Sequence, residues 1–175
     1  VAKLRLLMIG LSLAGLCAAG CERTMVAQPL DPAVMAGTPD AAMEFWHSLP
    51  GRSAVTNSEG LHGVLLLADG TDTSEGYDAR VATLKQRGWL ESGFDEPENM
   101  AMQRGTLAKA LVHMMDVRGG VMMHLTGRSP RYAARELAYM GVIQPETTSN
   151  QVMSGLDYLA VISKSQDYMT TEATK

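Results

Sequence analysis

The sequence predicts an all-α domain, and three observations carry that prediction. Apolar residues recur three and four positions apart in segment after segment. Glycine stops and Ser/Thr/Asn starts bound those segments, and one grammar of helix, glycine, loop and second helix returns along the chain. The exception is VMMHLTG, near 120–126. It follows Gly119-Gly120, opens on β-branched Val121, and is expected as one short extended segment.

Residues 1–20 are expected to be a signal peptide. Lys3 and Arg5 precede an apolar run from Leu6 to Leu16, and small residues close on Cys21. That is the order of a secretory signal, and the apolar run is short for a bilayer span. Ala18-Ala19-Gly20-Cys21 resembles the lipobox of bacterial lipoproteins, with Ala18 where that family prefers Leu. The resemblance implies that the Cys21 thiol carries a lipid that holds the protein at a membrane, each buried methylene contributing roughly 0.8 kcal/mol. Of the two cysteines, Cys17 would leave with the signal, so no disulfide is expected. Residues 21–40 are read as the lipidated Cys and a flexible tether, because Glu22 to Asp40 contains Pro29, Pro32 and Pro39 and no helical or strand period. A formal net charge of −4 without a Lys/Arg block argues against nucleic acid as a partner.

The helical domain is expected over 41–169, with a polar tail at 170–175. Thr38 as N-cap and Pro39 at the first helical position start AAMEFWHSL. In NSEGLHGVLLLADG, Asn57 or Ser58 can cap and Leu61, Val64, Leu65 and Ala68 share a face, while Gly60 and Gly63 weigh against a helix. GYDARVATLKQRGWL puts Tyr77, Val81 and Leu84 on one stripe and stops at Gly88, where glycine can take the left-handed conformation that closes a helix. MQRGTLAKALVHMMDVRGG aligns Leu107, Ala110, Leu111 and Met114, with Gly119 as its stop. Ser129-Pro130 opens RYAARELAYMG, which ends at Gly141, and SGLDYLAVISKS closes the domain with Leu159 and Ile162 inward.

Two segments share their grammar closely. Gly88 is followed by Trp89-Leu90 and Gly141 by Val142-Ile143; setting Met102 against Met153 brings Leu107 over Tyr158, Ala108 over Leu159 and Leu111 over Ile162. The same ruler fits upstream, where Leu61 matches Ala108 and Val64 matches Leu111. Three helix-loop-helix units result, at about 41–69, 77–118 and 130–165.

These units resemble the S-layer homology (SLH) family, whose repeats run helix, Gly with two apolar residues, an F-x-P loop and T-R-A-E opening the second helix. Phe94-Asp95-Glu96-Pro97 looks like the loop signal. Thr56-Asn57-Ser58-Glu59, Gln103-Arg104-Gly105-Thr106 and Ser154-Gly155-Leu156-Asp157 stand at T-R-A-E. The resemblance implies a pseudo-threefold bundle whose motif arginines and acids line grooves for cell-wall polysaccharide, a guanidinium fork suiting the acidic groups of a glycan. Carried onto this chain, it implies Glu59, Arg104 and Asp157 as polymer-binding residues, and Trp46 and Trp89 are candidates to stack on sugar faces. Each also has a structural role open to it: the carboxylates can stabilise helix N-termini and the tryptophans can pack in the core. Arg128, Arg131 and Arg135, with Arg118 nearby, form a local cationic group read as a solvated face.

The sequence reading is therefore a non-catalytic lipoprotein of the bacterial cell envelope, facing the periplasm or the exterior and held at an inner or outer membrane by its N-terminal lipid. Its SLH-like domain would bind or organise a cell-wall or surface polymer (polysaccharide or peptidoglycan) or an envelope protein, without cofactor or resident metal. No G-x-S-x-G, H-E-x-x-H, P-loop or dinucleotide fingerprint occurs. The alternative is a periplasmic small-ligand or copper-binding lipoprotein. It rests on HMMDVRGGVMMH, in which His113, Met122 and His124 are of ligand types suited to copper(I). Thirteen methionines in the chain favour their use as flexible packing filler over metal handling.

Overall fold

The computed structural model describes residues 23–145 and 148–174; the expected signal peptide and Cys21 lie outside the described residues. The described chain is all-α, with helices α1 (Pro39–Ser48), α2 (Asn57–Asp69), α3 (Tyr77–Gln86), α4 (Arg104–Met114), α5 (Val121–Leu125), α6 (Pro130–Tyr139) and α7 (Gly155–Ala173). Short 3-10 turns cover Pro32–Met35 and Leu49–Gly51. No described helix is long and apolar enough to cross a membrane.

Local chemistry explains most boundaries. Thr38 caps α1 through a hydrogen bond from the Ala41 amide, with Pro39 at the first helical position. Both α3 and α6 end on a left-handed glycine, Gly88 at φ 73° and Gly141 at φ 76°. In each case the next two amides return to one leucine carbonyl: Trp89 and Leu90 to Leu84, Val142 and Ile143 to Leu137. This satisfies carbonyls the helix end would otherwise leave without donors. Gly60 and Gly63 sit inside α2 because α2 is approached too closely for side chains: a Cβ would lie 2.2 Å from Met102 Sδ at the first and 2.3 Å from the Tyr158 hydroxyl at the second.

Three expectations are corrected. The segment near 120–126 is helical: the Met123 and His124 amides both donate to the Gly120 carbonyl, and Val121 falls at the first helical position, where its stiffness matters least. Only Met123 of this turn is buried, so the alternating faces expected of a strand are absent. Helix α4 stops at Asp116, not Gly119; Asp116 takes φ 47° and the Val117 amide closes onto Val112. The polar tail continues α7 as far as Ala173, the Thr170, Thr171 and Thr174 hydroxyls each donating to a carbonyl one turn back, which adds to that expectation without changing it. Finally, part of the expected tether lies along the domain. Thr24 and Val26 exchange backbone hydrogen bonds with Ala101 and Asn99, and the Leu30 amide donates to Glu59.

The centre of the molecule is organised by one closed ring of backbone hydrogen bonds and an outer ring of three more, joined to one another through the chain. In the inner ring Val55 N donates to Met153 O (2.9 Å), Met153 N to Met102 O (3.2 Å) and Met102 N to Val55 O (2.8 Å). The outer ring joins the first amide of each long helix to the loop before the next: Asn57 N to Met100 O, Arg104 N to Gln151 O and Gly155 N to Arg52 O. Three buried side chains, Val55, Met102 and Met153, fill the inner ring. Around it pack Phe45, Leu61, Leu84, Leu107, Leu111, Leu137 and Tyr158. The Tyr158 hydroxyl, fully buried, donates to the Gly60 carbonyl at 2.7 Å. Packed hydrophobics of the described residues run from Leu30 to Tyr168, so the chain from Glu22 onward carries all of them.

Candidate functional site

The three helix starts that the rings join hold the residues expected to bind polymer, and the geometry assigns two of them inward roles. Glu59 is fully buried. Its Oε2 accepts from the Thr56 amide at 2.9 Å while Thr56 Oγ1 accepts from the Glu59 amide at 3.0 Å, a reciprocal capping box. Its Oε1 accepts from Arg52 Nη2 at 2.9 Å and from the Leu30 amide at 2.8 Å. Three of its roughly four lone-pair directions are thereby taken by the chain itself, and full burial keeps the carboxylate from the surface. Arg104 is 2% exposed, and burial lowers its pKa from the ordinary value, partly offset by the charge of Asp157. Asp157 is half-buried, its carboxylate accepting from Ser154 Oγ at 2.8 Å and its amide donating to the same hydroxyl. Arg104 and Asp157 thus face each other electrostatically, whereas Glu59 is committed to the N-terminal segment. The tryptophans are half-buried against the core, Trp46 edge-on to Phe45 at 4.9 Å and Trp89 beneath the Arg87 guanidinium at 4.9 Å.

Open surface suited to a polymer lies one layer out, beside the start of α4. A groove of about 660 Å³ runs beside α6, lined by Arg131, Arg135, Thr148, Ser149 and Asn150 together with Pro130 and Pro145. Two contacts hold its floor: the Gly105 amide donates to Ser149 O at 2.7 Å, and Gly105 has no room for a Cβ, which would meet Pro130 at 2.9 Å. Arg131 and Arg135 are one turn apart on the exposed side of α6, whose inner side buries Ala133, Ala134 and Leu137. Two guanidiniums along a groove with hydroxyl and amide groups opposite form a surface that can grip carboxylates or acidic ketals on an extended chain. Sequence reasoning found these arginines as a cationic group but not their groove, because the opposite wall comes from residues some fifteen positions later.

A second polar cluster went unseen in the sequence. Asp72 is buried, accepting from His62 Nδ1 at 2.7 Å, from Arg80 Nε and, through Oδ1, from the Ser74 amide. Burial pushes its carboxyl upward, but these donors and the Arg80 charge prevail and hold it well below the usual carboxylate range. Arg80 also reaches Ser58 Oγ at 3.2 Å, tying α3 to the start of α2. A cleft of about 230 Å³ opens beside it, lined by Thr56, Ser58, Tyr77 and Arg80 and roofed by Pro29, Leu30 and Pro32 of the N-terminal segment. No sequence signal links His62, Asp72 and Arg80, since their spacing fits neither one helix face nor one strand.

The residues of the copper alternative are arranged unfavourably for a cation. Arg128 Nη1 stands 3.3 Å from His113 Nδ1, and His113 Nε2 is buried. Burial, then the charges of Arg128 and Lys109, lower the His113 pKa. Met122 and His124 are exposed on α5. No protein-family model matches the chain, and no curated protein matches it.

Proposed function

We propose that the protein is a non-catalytic lipoprotein of the bacterial cell envelope, anchored through Cys21, whose domain is a three-unit pseudo-threefold bundle similar to SLH repeats. In this reading the units are α1 with α2, α3 with α4, and α6 with α7. The domain holds an acidic cell-wall or surface polymer, and the groove of Arg131 and Arg135 is the contact surface, in place of the buried motif residues.

The observation that carries this reading is the closed hydrogen-bond ring of Val55, Met102 and Met153, the residues just before the three T-R-A-E-like starts, and the three parallel bonds by which Asn57, Arg104 and Gly155 donate to Met100, Gln151 and Arg52. Matching N-cap positions at Thr56, Gln103 and Ser154, of which Thr56 and Ser154 cap through their hydroxyls, equivalent glycine stops at Gly88 and Gly141, and cyclic bonding between units support one repeated plan. The buried state of Glu59 and Arg104 supports a division of labour in which motif positions hold the units together and the outer groove contacts polymer.

Two experiments test the reading. The chain from Glu22 onward, sedimented with purified wall polysaccharide and with peptidoglycan, is expected to pellet, and Arg131→Gln should weaken that binding about tenfold, as loss of a charge-assisted hydrogen bond requires. Equal pelleting of both proteins, or none by either, contradicts it. In cells, Cys21→Ser should abolish acyl labelling and let a high-salt wash strip the protein from membranes; a variant that resists the wash rules out the anchor.

A further inference from the structure

The short helix α5 carries the largest cluster of exposed apolar side chains in close sequence. Val121 and Leu125 are each 74% exposed and lie one turn apart, Met122 is 51% exposed, and Tyr139 at the end of α6 is 89% exposed. Met122, Arg135 and Tyr139 rim one cleft of about 270 Å³ between α5 and α6, so the two helices present one continuous face. Within α6, Arg131, Arg135 and Tyr139 fall on a single stripe at successive turns. The charge around this face opposes that of the chain. Residues 116–139 contain Arg118, Arg128, Arg131 and Arg135 against Glu136 and Asp116, the latter 3.6 Å from Arg128, in a protein of formal net charge −4.

We infer that the α5–α6 face is a docking surface for an anionic bilayer. Aliphatic and methionine side chains on a one-turn helix can enter the headgroup–acyl boundary, tyrosine prefers that boundary, and arginines beside them reach lipid phosphates. An acidic molecule with a cationic, apolar face would be oriented by a negatively charged membrane so that this face meets it. The folded domain carries the surface itself, so docking does not depend on lipid at Cys21; a lipid there would keep the face close to its target. The HMMDVRGGVMMH stretch is explained on the same terms: Met114 and Met115 pack half-buried on the core, Met123 is buried, and Met122 is left outside for the membrane.

The test uses the chain from Glu22 onward and sucrose-loaded vesicles, either of equal parts phosphatidylglycerol and phosphatidylcholine or of phosphatidylcholine alone. The protein should co-sediment with the anionic vesicles at low salt and be released by phosphatidylcholine and by high salt. Val121→Ser with Leu125→Ser should lower partitioning about tenfold and Arg135→Gln about fivefold. The serine pair should leave helical circular dichroism and polysaccharide co-sedimentation unchanged, because Val121 and Leu125 line no part of the polymer groove, whereas Arg135 is shared by both surfaces. Absence of binding to anionic vesicles, or binding that the serine pair leaves intact, overturns the inference; the former result moves the search to an acidic protein partner.

Discussion

Asp116 holds φ 47° at the end of α4, a left-handed conformation that residues with a Cβ adopt at a cost of roughly 1–2 kcal/mol, aspartate less than most. Its partner, Arg128, is 3.6 Å away and the aspartate side chain is 89% exposed, so the ion pair does little to offset that strain. Asp116→Gly is therefore expected to stabilise the protein by about 0.5–1 kcal/mol, seen as a higher urea midpoint at constant slope. Asp72 makes the opposite case. Its carboxyl is depressed in the fold, so its contribution is complete above the unfolded value near pH 4 and is lost as pH falls towards the folded value. Urea midpoints of the wild type should fall with acidification below about pH 4. Asp72→Asn should be less stable by about 3 kcal/mol at neutral pH, because Arg80 is left buried without its counter-charge, and its midpoint should respond less to acid.

Elements whose ends are written in local chemistry were legible from sequence: Thr38-Pro39 at the start of α1, and Gly88 and Gly141 at the ends of α3 and α6. Elements settled by tertiary contact were not. Helix α5 is one turn long, too short for its period to register against a β-branched first residue, and it is held by packing on α6. The segment over 24–36 has the composition of a linker, yet Glu59 supplies a buried carboxylate that its Leu30 amide fills, and the 99–101 loop offers backbone partners. A chain beginning at Gly37 should consequently lose about 1–3 kcal/mol of stability, since it strips a donor from a buried carboxylate. A free tether would leave the urea midpoint unchanged.

At the scale of the whole molecule, three sequence matches at Thr56, Gln103 and Ser154 correspond to three helix N-cap positions around the Val55–Met102–Met153 hydrogen-bond ring. That much was readable because polar starts and the apolar residues flanking them recur at matching places in the sequence. The proposed contact surface was not readable, because two of the motif side chains that carried the resemblance are inside: Glu59 is spent on a capping box and on the N-terminal segment, and Arg104 is covered. Their burial moves the proposed polymer contact to side chains outside the repeat signature, on α6 and the 148–150 loop. Amide chemical-shift mapping during titration with purified acidic wall polysaccharide tests this most directly. The account predicts saturable shifts confined to Arg131, Arg135, Ser149, Asn150 and their neighbours, with Glu59 and the Val55–Met102–Met153 ring unmoved. Shifts centred on Glu59, Asp157 or the N-terminal segment, or no shifts at all, would contradict it.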